Sequence, residues 1–384
     1  KKAADNFNAA IASWPIESAW HYQLASLYLE EGELDAAVPH LQQSVELEPD
    51  QPDYLLAYAR ALGKTSQLSE AEKIYSRILE AKPAIGQIWK EAGQISLALG
   101  HAEQADVWFE RACTLLPSDV HCLIGSARTA MALGQHRQSS ERAKAALRLA
   151  PDDYEVLLGM GEIFAAQSKY EKALQAYDQA LKHTNNPLNV QLASCKLLVK
   201  IGRANEAIAA LHKVLEVNPD DQRSWAALAE ACEASNQLEQ ALDAATQAVR
   251  LSPRNPSYRL HLGRLCRKSG QLDRALDELA HVQSTDLYDS HFALELGLIY
   301  EARRETKQAL EAYKQAISLD PNCGQAHFRA GLILKRQKNY LQASSMIERA
   351  VELNPRDPDF LHQLAAVRAL ELIHGGTLIS AVSS

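Results

Sequence analysis

Small apolar residues and prolines return at a spacing of 34 residues along most of this chain of 384 residues. Within each period, larger apolar residues stand three, four or seven positions apart in two successive segments, a spacing typical of one buried face on each of two helices. A proline at the end of a period predicts the end of the second helix, because the residue before a proline avoids the α region. The recurrent prolines are Pro15, Pro49, Pro83, Pro117, Pro151, Pro219, Pro253, Pro321 and Pro355. The pattern therefore predicts an all-α stack of helix–turn–helix repeats.

Ten full repeats follow when the proline is counted as the thirty-second residue of each. They span 18–51, 52–85, 86–119, 120–153, 154–187, 188–221, 222–255, 256–289, 290–323 and 324–357. The eighth place is always Ala, Gly or Cys, and the twentieth place is Ala except at Ser139. Small residues at two fixed places allow paired helices to approach closely where they cross. The fifteenth place is Gly in five repeats, which suits the left-handed residue that ends a helix.

The two ends of the chain predict incomplete repeats. Residues 1–17 fit the second helix of a truncated preceding repeat, and residues 358–373 fit a lone first helix. Two glycines follow, so residues 374–384 are predicted to form a tail. Apolar faces on such unpaired helices suggest end-to-end self-association as one hypothesis. Pro39 stands inside a second helix, and we expect it to bend that helix or to delay its start.

One repeat carries a family signature with particular clarity. Its residues are Trp89, Ala92, Gly93, Gly100, Ala105, Phe109, Ala112 and Pro117. The pattern resembles the tetratricopeptide repeat family, and the resemblance extends over about residues 1–373. It implies an all-α, right-handed α-solenoid superhelix of about ten 34-residue repeats, with partial repeats at both ends. It also implies that the first helices line a concave groove in which protein partners dock.

Composition narrows the classes of function. The net charge of −8 argues against a general nucleic-acid binder, which needs a basic footprint to displace counterions. No stretch approaches the roughly 18 apolar residues of a membrane span. The six cysteines form no C-x-x-C pair, and buried thiols in a reducing compartment are the expectation. We therefore expect a cytoplasmic protein.

The sequence contains no recognisable catalytic motif. Phosphate-binding, dinucleotide-binding, zinc-protease and nucleophile-elbow motifs are all missing from it. His121 and Cys122 are neighbours, but adjacent residues on a helix point apart and make a poor metal pair. We therefore predict no catalytic residue, no cofactor and no metal site.

The places that the family resemblance assigns to the groove are rich in basic residues near the C-terminal end. The candidate partner-binding residues are His261, Arg264, Arg267, Lys268, His291, Phe328, Arg329, Lys335 and Arg336. A basic groove with one aromatic residue suits an extended acidic peptide, because Arg pairs with carboxylates in bidentate fashion. Ordinary solubilising charge is the alternative, since Glu295 and Glu301 could neutralise the patch.

The groove places of the N-terminal two-thirds carry mostly small residues. At the sixth place they are Ala57, Gly125, Gly159, Ala193 and Ala227. Small side chains leave room for a thick ligand such as a helix, or they reflect no more than the helix propensity of alanine. Both interpretations remain open from the sequence.

Three hypotheses for the function follow. The first is a non-enzymatic scaffold that docks a protein segment along the concave face. The second is a substrate-recruiting region of a larger enzyme whose catalytic domain lies outside this chain, and the third is a self-associating assembly scaffold in secretion. The carboxylate clamp of chaperone adaptors needs Lys at the fifth place and Asn at the ninth. It is absent here, because the repeat with Lys90 at the fifth place has Gln94 at the ninth.

Overall fold

A computed structural model describes residues 2–65, 67–81, 84–283 and 289–382, and within those ranges the chain forms α-helices and no strand. It divides into two compact units, Lys1–Leu197 and Leu198–Ser384. We call them the N-terminal unit and the C-terminal unit. The division falls inside one helix.

The helices of the N-terminal unit are α1 Lys2–Ser13, α2 Ser18–Glu31, α3 Leu34–Leu47, α4 Pro52–Lys64, α5 Leu68–Glu80, α6 Gly86–Ala98, α7 Ala102–Leu115, α8 Val120–Ala132, α9 His136–Leu149, α10 Tyr154–Ala166 and α11 Tyr170–Lys182. The division falls in α12 Leu188–Lys200. The helices of the C-terminal unit are α13 Ala204–Val217, α14 Gln222–Ala234, α15 Leu238–Leu251, α16 Pro256–Lys268, α17 Leu272–Gln283, α18 Ser290–Ala302, α19 Thr306–Leu319, α20 Gly324–Arg336, α21 Tyr340–Leu353 and α22 Pro358–Val382.

Even-numbered helices are the first helices of the predicted repeats, and odd-numbered helices are the second. Within each unit, a first helix packs against the second helix that follows it, as α6 packs on α7 and α20 on α21. The alanines predicted at the helix crossings are fully buried, and Ala71, Ala173 and Ala309 have no exposed surface. The predicted close approach of paired helices is confirmed.

Glycine at the eighth place faces a large side chain at the twenty-fourth place of the same repeat. A Cβ atom built on Gly93 would lie 2.9 Å from the ring of Phe109. On Gly161 it would overlap the ring of Tyr177. The same relation holds for Gly263 with Leu279, Gly297 with Tyr313 and Gly331 with Ile347. The missing side chain of the glycine therefore provides the volume that the large residue fills.

The repeat-ending prolines also position the next first helix through their carbonyl groups. Trp225 Nε1 donates to the carbonyl oxygen of Pro219, and Arg259 Nε donates to that of Pro253, each at 2.7 Å. Ring nitrogens of His21 and His327 make the corresponding contacts with Pro15 and Pro321. All four donors occupy the fourth place of a repeat, so one side chain satisfies a carbonyl that the ended helix leaves free.

Where the structure describes it, the fifteenth place adopts the left-handed conformation whether or not it is glycine. Five glycines there, from Gly32 to Gly270, have φ between 73° and 83°. Non-glycine residues at the same place have φ between 59° and 63°, and they are Ser168, Asn236, Arg304 and Lys338. The predicted left-handed end of the first helix is confirmed, and it is set by the turn geometry rather than by the residue type.

We expect Lys338→Gly and Arg304→Gly each to raise the free energy of unfolding of the C-terminal unit by about 0.5–1 kcal/mol, because glycine adopts positive φ without a clash at Cβ. Both side chains are exposed, so little packing is lost. Asn236→Gly is the control, since asparagine already tolerates this conformation and should change less. Urea denaturation measures the effect, and a lower midpoint for the lysine and arginine variants would contradict it.

The structure differs from the sequence-based expectations at two points. Helix α22 continues to Val382, across residues for which a tail was expected from residue 374. Each glycine in a helix lowers its stability by only about 1 kcal/mol, and no proline follows to end it. Helix α3 begins at Leu34, five residues before Pro39, so a delayed start is excluded and a bend remains the expectation.

Candidate functional site

Polar side chains connect successive first helices of the C-terminal unit in a regular series. The residue at the twelfth place of one repeat contacts the residue at the sixth place of the next. The four contacts are Glu233–His261 at 2.9 Å, Arg267–Glu295 at 2.9 Å, Glu301–Arg329 at 3.6 Å and Lys335–Gln363 at 2.9 Å. We call these four contacts, together with the Lys and Arg side chains that contact their glutamates, the polar ladder. It runs over α14, α16, α18, α20 and α22, on the side of the C-terminal unit where the first helices present these two places.

Glu233 is the centre of the first cluster in the ladder. It accepts hydrogen bonds from His261 Nε2 at 2.9 Å and Arg264 Nη2 at 2.9 Å. Lys268 Nζ donates to its other oxygen at 2.6 Å. The hydrogen bond from His261, followed by those from the cations, holds the pKa of Glu233 well below its usual range despite burial. The carboxylate is therefore ionised at neutral pH.

Glu301 is the centre of a second cluster with the same arrangement, two repeats further along. It accepts from Tyr313 Oη at 2.8 Å and from Arg336 Nη2 at 3.2 Å. Arg329 Nη1 lies 3.6 Å from its Oε2. Burial and the neighbouring Glu301 carboxylate raise the pKa of Tyr313, so the phenol stays protonated and donates. In both clusters the acid stands at the twelfth place, and bases stand at the sixth and thirteenth places of the next repeat.

The ladder contact between the two clusters is an ion pair of one cation and one anion. Arg267 Nε donates to Glu295 Oε2 at 2.9 Å, and its Nη2 lies 3.5 Å from Oε1. Both side chains are mostly buried, at 22% and 14% exposure. One cation thus faces one anion, whereas each cluster holds more cations than anions.

Seven of the nine residues predicted for partner binding lie in the polar ladder, namely His261, Arg264, Arg267, Lys268, Arg329, Lys335 and Arg336. Phe328 does not present its ring to a partner, because it is only 7% exposed and stacks on Phe360 with ring centroids 4.3 Å apart. His291 is exposed in the first turn of α18, where its amide donates to Asp289 Oδ1.

The glutamates reduce the positive charge of the ladder without cancelling it. Five Lys and Arg side chains contact Glu233, Glu295 or Glu301, and Lys335 contacts the neutral Gln363, so six positive charges stand beside three negative ones. Lys268 and Arg336 are 46% and 61% exposed. Glu233 is the central residue of the first cluster, and the sequence prediction missed it. The signal was present, because an acid recurs at the twelfth place two repeats later, as Glu301.

Two of the small residues on the first helices of the N-terminal unit, Gly125 and Gly159, admit side chains of the preceding repeat. A Cβ atom on Gly125 would overlap the ring of Phe109, and one on Gly159 would overlap Ile124. Glycine is a poor helix former, so helix propensity does not explain these two positions. For Ala57, Ala193 and Ala227 both interpretations stay predictions. A cleft of about 340 Å³ lies beside Gly125, bordered by Arg128 and Glu162.

Two cysteines from separate helices, Cys113 and Cys122, influence each other in the structure. Their interaction lowers the pKa of the Cys113 thiol and, with burial, raises the pKa of Cys122. Among the residues that the structure describes, no group of three or more His, Cys, Asp or Glu side chains is placed to hold a metal ion. In the same part of the chain, no helix is both long enough and apolar enough to cross a membrane.

Two histidines of the N-terminal unit, His21 and His40, contact each other through their rings. His21 Nδ1 lies 3.2 Å from His40 Nδ1, and the ring of His40 stacks on Tyr28. Burial, and then the neighbouring His21, lower the pKa of His40. In the unfolded chain the same histidine takes up a proton below about pH 6.5. The unfolded state then binds more protons, so stability present above this pH is lost as the pH falls.

We therefore expect amide protons of α2 and α3 to exchange faster, relative to global unfolding, as the pH falls from neutrality through about 6. Hydrogen exchange with mass spectrometry, corrected for the intrinsic pH dependence, measures this change. His40→Gln is the control, because it removes the titrating group from the pair. Equal pH dependence in the variant and the parent would contradict the prediction.

The repeated helix pairs, the two small places at their crossings and the polar face on the first helices define an all-α helical-repeat protein. Two family models, both described as tetratricopeptide repeat, match the chain. One matches residues 1–52, 124–189 and 294–358, and the other matches 28–95, 164–232 and 233–293. The chain belongs to the tetratricopeptide repeat family.

Solved structures share this fold at low sequence identity. A human IFIT1 dimer with m7Gppp-AAAA is 16% identical, with a TM-score of 0.54, over 93% of this chain and 95% of that one. Yeast Tom70 is also 16% identical, with a TM-score of 0.54, over 97% of this chain and 92% of that one. These similarities show the fold alone. No curated protein sequence matches the chain.

Proposed function

We propose that this protein is a non-enzymatic scaffold that docks an acidic protein segment on the polar ladder of its C-terminal unit. The surplus of positive charge on the ladder carries the proposal. Membership of the tetratricopeptide repeat family supports a protein-interaction role. The exposed heads of Arg264, Lys268 and Arg336 support an acidic partner, because each retains donors beyond those used by the glutamates.

The mechanism is replacement of water by partner carboxylates around cations that are already oriented. Glu233 and Glu301 hold the basic side chains in fixed rotamers, so a partner spends less side-chain entropy in ordering them. Arginine offers five N–H donors, and a single glutamate occupies few of them. The charges lie at a partly exposed surface, so the affinity should fall as salt is added.

The test is fluorescence anisotropy of a labelled glutamate-rich peptide with the parent protein and with Arg264→Glu plus Arg329→Glu. We expect the double reversal to weaken binding about tenfold or more, which corresponds to roughly 1.4 kcal/mol. Lys172→Glu plus Lys213→Glu is the matched control. It changes the net charge equally at exposed positions on second helices, and its affinity should stay close to that of the parent.

Three results would count against the proposal. They are unchanged binding in the ladder variant, equal loss in the control variant, and an affinity that does not respond to salt. Circular dichroism of each variant verifies that the helices remain folded, so that lost binding reports on the surface alone.

A further inference from the structure

The two clusters of the polar ladder are copies of one arrangement, placed two repeats apart. In each cluster, a glutamate at the twelfth place contacts basic side chains at the sixth and thirteenth places of the next repeat. The first set is Glu233 with His261 and Lys268, and the second is Glu301 with Arg329 and Arg336. The intervening contact, Arg267 with Glu295, reverses the order of acid and base. The repetition has a period of two repeats and not of one.

The surplus positive charge therefore lies at two separated points. At the first cluster, Arg264 and Lys268 face the single charge of Glu233, and at the second, Arg329 and Arg336 face Glu301. The four cationic side chains are between 35% and 61% exposed. Lys335, hydrogen-bonded to Gln363, adds to the positive charge beside the second cluster. The matched and mostly buried pair between the clusters adds no net charge.

The separation of the clusters sets the length of segment that can reach both. The first cluster joins α14 to α16, and the second joins α18 to α20. Equivalent points of the two clusters are therefore two steps apart along the series of first helices. Axes of packed helices lie about 8–10 Å apart, which places the clusters roughly 16–20 Å from each other. An extended chain advances about 3.3 Å per residue, so five or six residues cover that distance.

The surface between the clusters favours an extended segment over a helix. A docked helix buries an apolar face in an apolar groove. Here the middle of the ladder is the Arg267–Glu295 ion pair, and the aromatic residue nearest to it on α20, Phe328, is buried against Phe360. An extended segment instead places alternate side chains toward the surface and needs no apolar stripe.

Resting on the proposed function, we infer that the polar ladder is specific for an extended segment with two acidic groups about five or six residues apart, one for each cluster. The occupant is thus a protein segment with spaced acids. Uniformly acidic segments bind through the same contacts, but without a preferred register.

The test is a series of labelled peptides of equal length and composition, each with two pairs of glutamates in a Gly/Ser background. The pairs are separated by about two, six or ten residues, and binding is measured at low ionic strength, near 0.01 M. We expect the middle spacing to bind about fivefold more tightly than the other two, because only it engages both clusters at once. Arg336→Gln should remove this preference, as should Arg264→Gln plus Lys268→Gln, while Lys172→Gln should leave it unchanged.

The outcomes separate this inference from the proposed function. Equal affinity at all spacings, with salt-sensitive binding retained, overturns the two-point inference and leaves acidic docking in place. The same glutamate pairs are also placed in an alanine-rich, helix-forming background, and an optimum at the widest spacing there overturns the extended segment. No binding of any acidic peptide at low ionic strength overturns both proposals.

Discussion

Gly161→Ala should lower the free energy of unfolding of the N-terminal unit by roughly 1–3 kcal/mol, although alanine is the better helix former. The new Cβ would overlap the ring of Tyr177, which is only 2% exposed and held between α10 and α11. The gain in helix propensity is about 1 kcal/mol and does not offset the displaced ring. The added Cβ would lie within 2.5 Å of two ring carbons of Tyr177, so either the ring or the helix must shift.

Denaturation in urea measures this change, and hydrogen exchange in α10 and α11 localises it. The control is Tyr177→Leu in the Gly161→Ala background, because a smaller side chain removes the overlap and should recover part of the loss. Gly297→Ala provides an independent repetition in the C-terminal unit, against Tyr313. Unchanged stability in both single variants would show that the large residue at the twenty-fourth place does not need the volume that glycine leaves at the eighth place.

Ala241→Leu is expected to destabilise the C-terminal unit by about 1–3 kcal/mol, because the added atoms enter a crossing without free space. Ala241 has no exposed surface, and α15 packs on α14 at this place. In a stack of repeats each element contacts its neighbours, so the loss should begin locally. Hydrogen exchange should show α14 and α15 losing protection before the more distant α20 and α21.

Ala209→Leu is the matched control, since Ala209 is exposed on the second helix of the preceding repeat. Its effect should stay within about 0.5 kcal/mol. A single cooperative transition at the parent midpoint for Ala241→Leu would contradict the prediction. Equal effects of the two substitutions would show that overpacking at the crossing is not the cause.

The fold was largely predictable because each structural role returns at a fixed place. The twentieth place packs at a crossing in every described repeat, so Ala71 and Ala309 could be assigned without knowing their neighbours. The thirty-fourth place also has a fixed role. Acidic or amide side chains there cap the next first helix through hydrogen bonds from its amides, at Asp119, Asp153, Asp221, Asn255 and Asp289.

The site was less predictable, because its contacts join residues about one repeat apart. The chemistry at Arg264 depends on Glu233 in the preceding repeat, and the burial of Phe328 depends on Phe360 in the following one. The position of a residue within its repeat predicts which way its side chain leaves the helix, but not which side chains of neighbouring repeats it contacts. The same holds for Gly125. A side chain is excluded at this position by the ring of Phe109, which belongs to another helix.

The alternating sign of the polar ladder restricts how many repeats the C-terminal unit can lose. Deleting residues 256–289 would bring Glu233 beside Glu295, so two carboxylates would face each other. Deleting residues 256–323 would instead bring Glu233 beside Arg329 and restore an attractive pair. For these internal repeats, the electrostatics therefore favour the loss of two repeats over the loss of one.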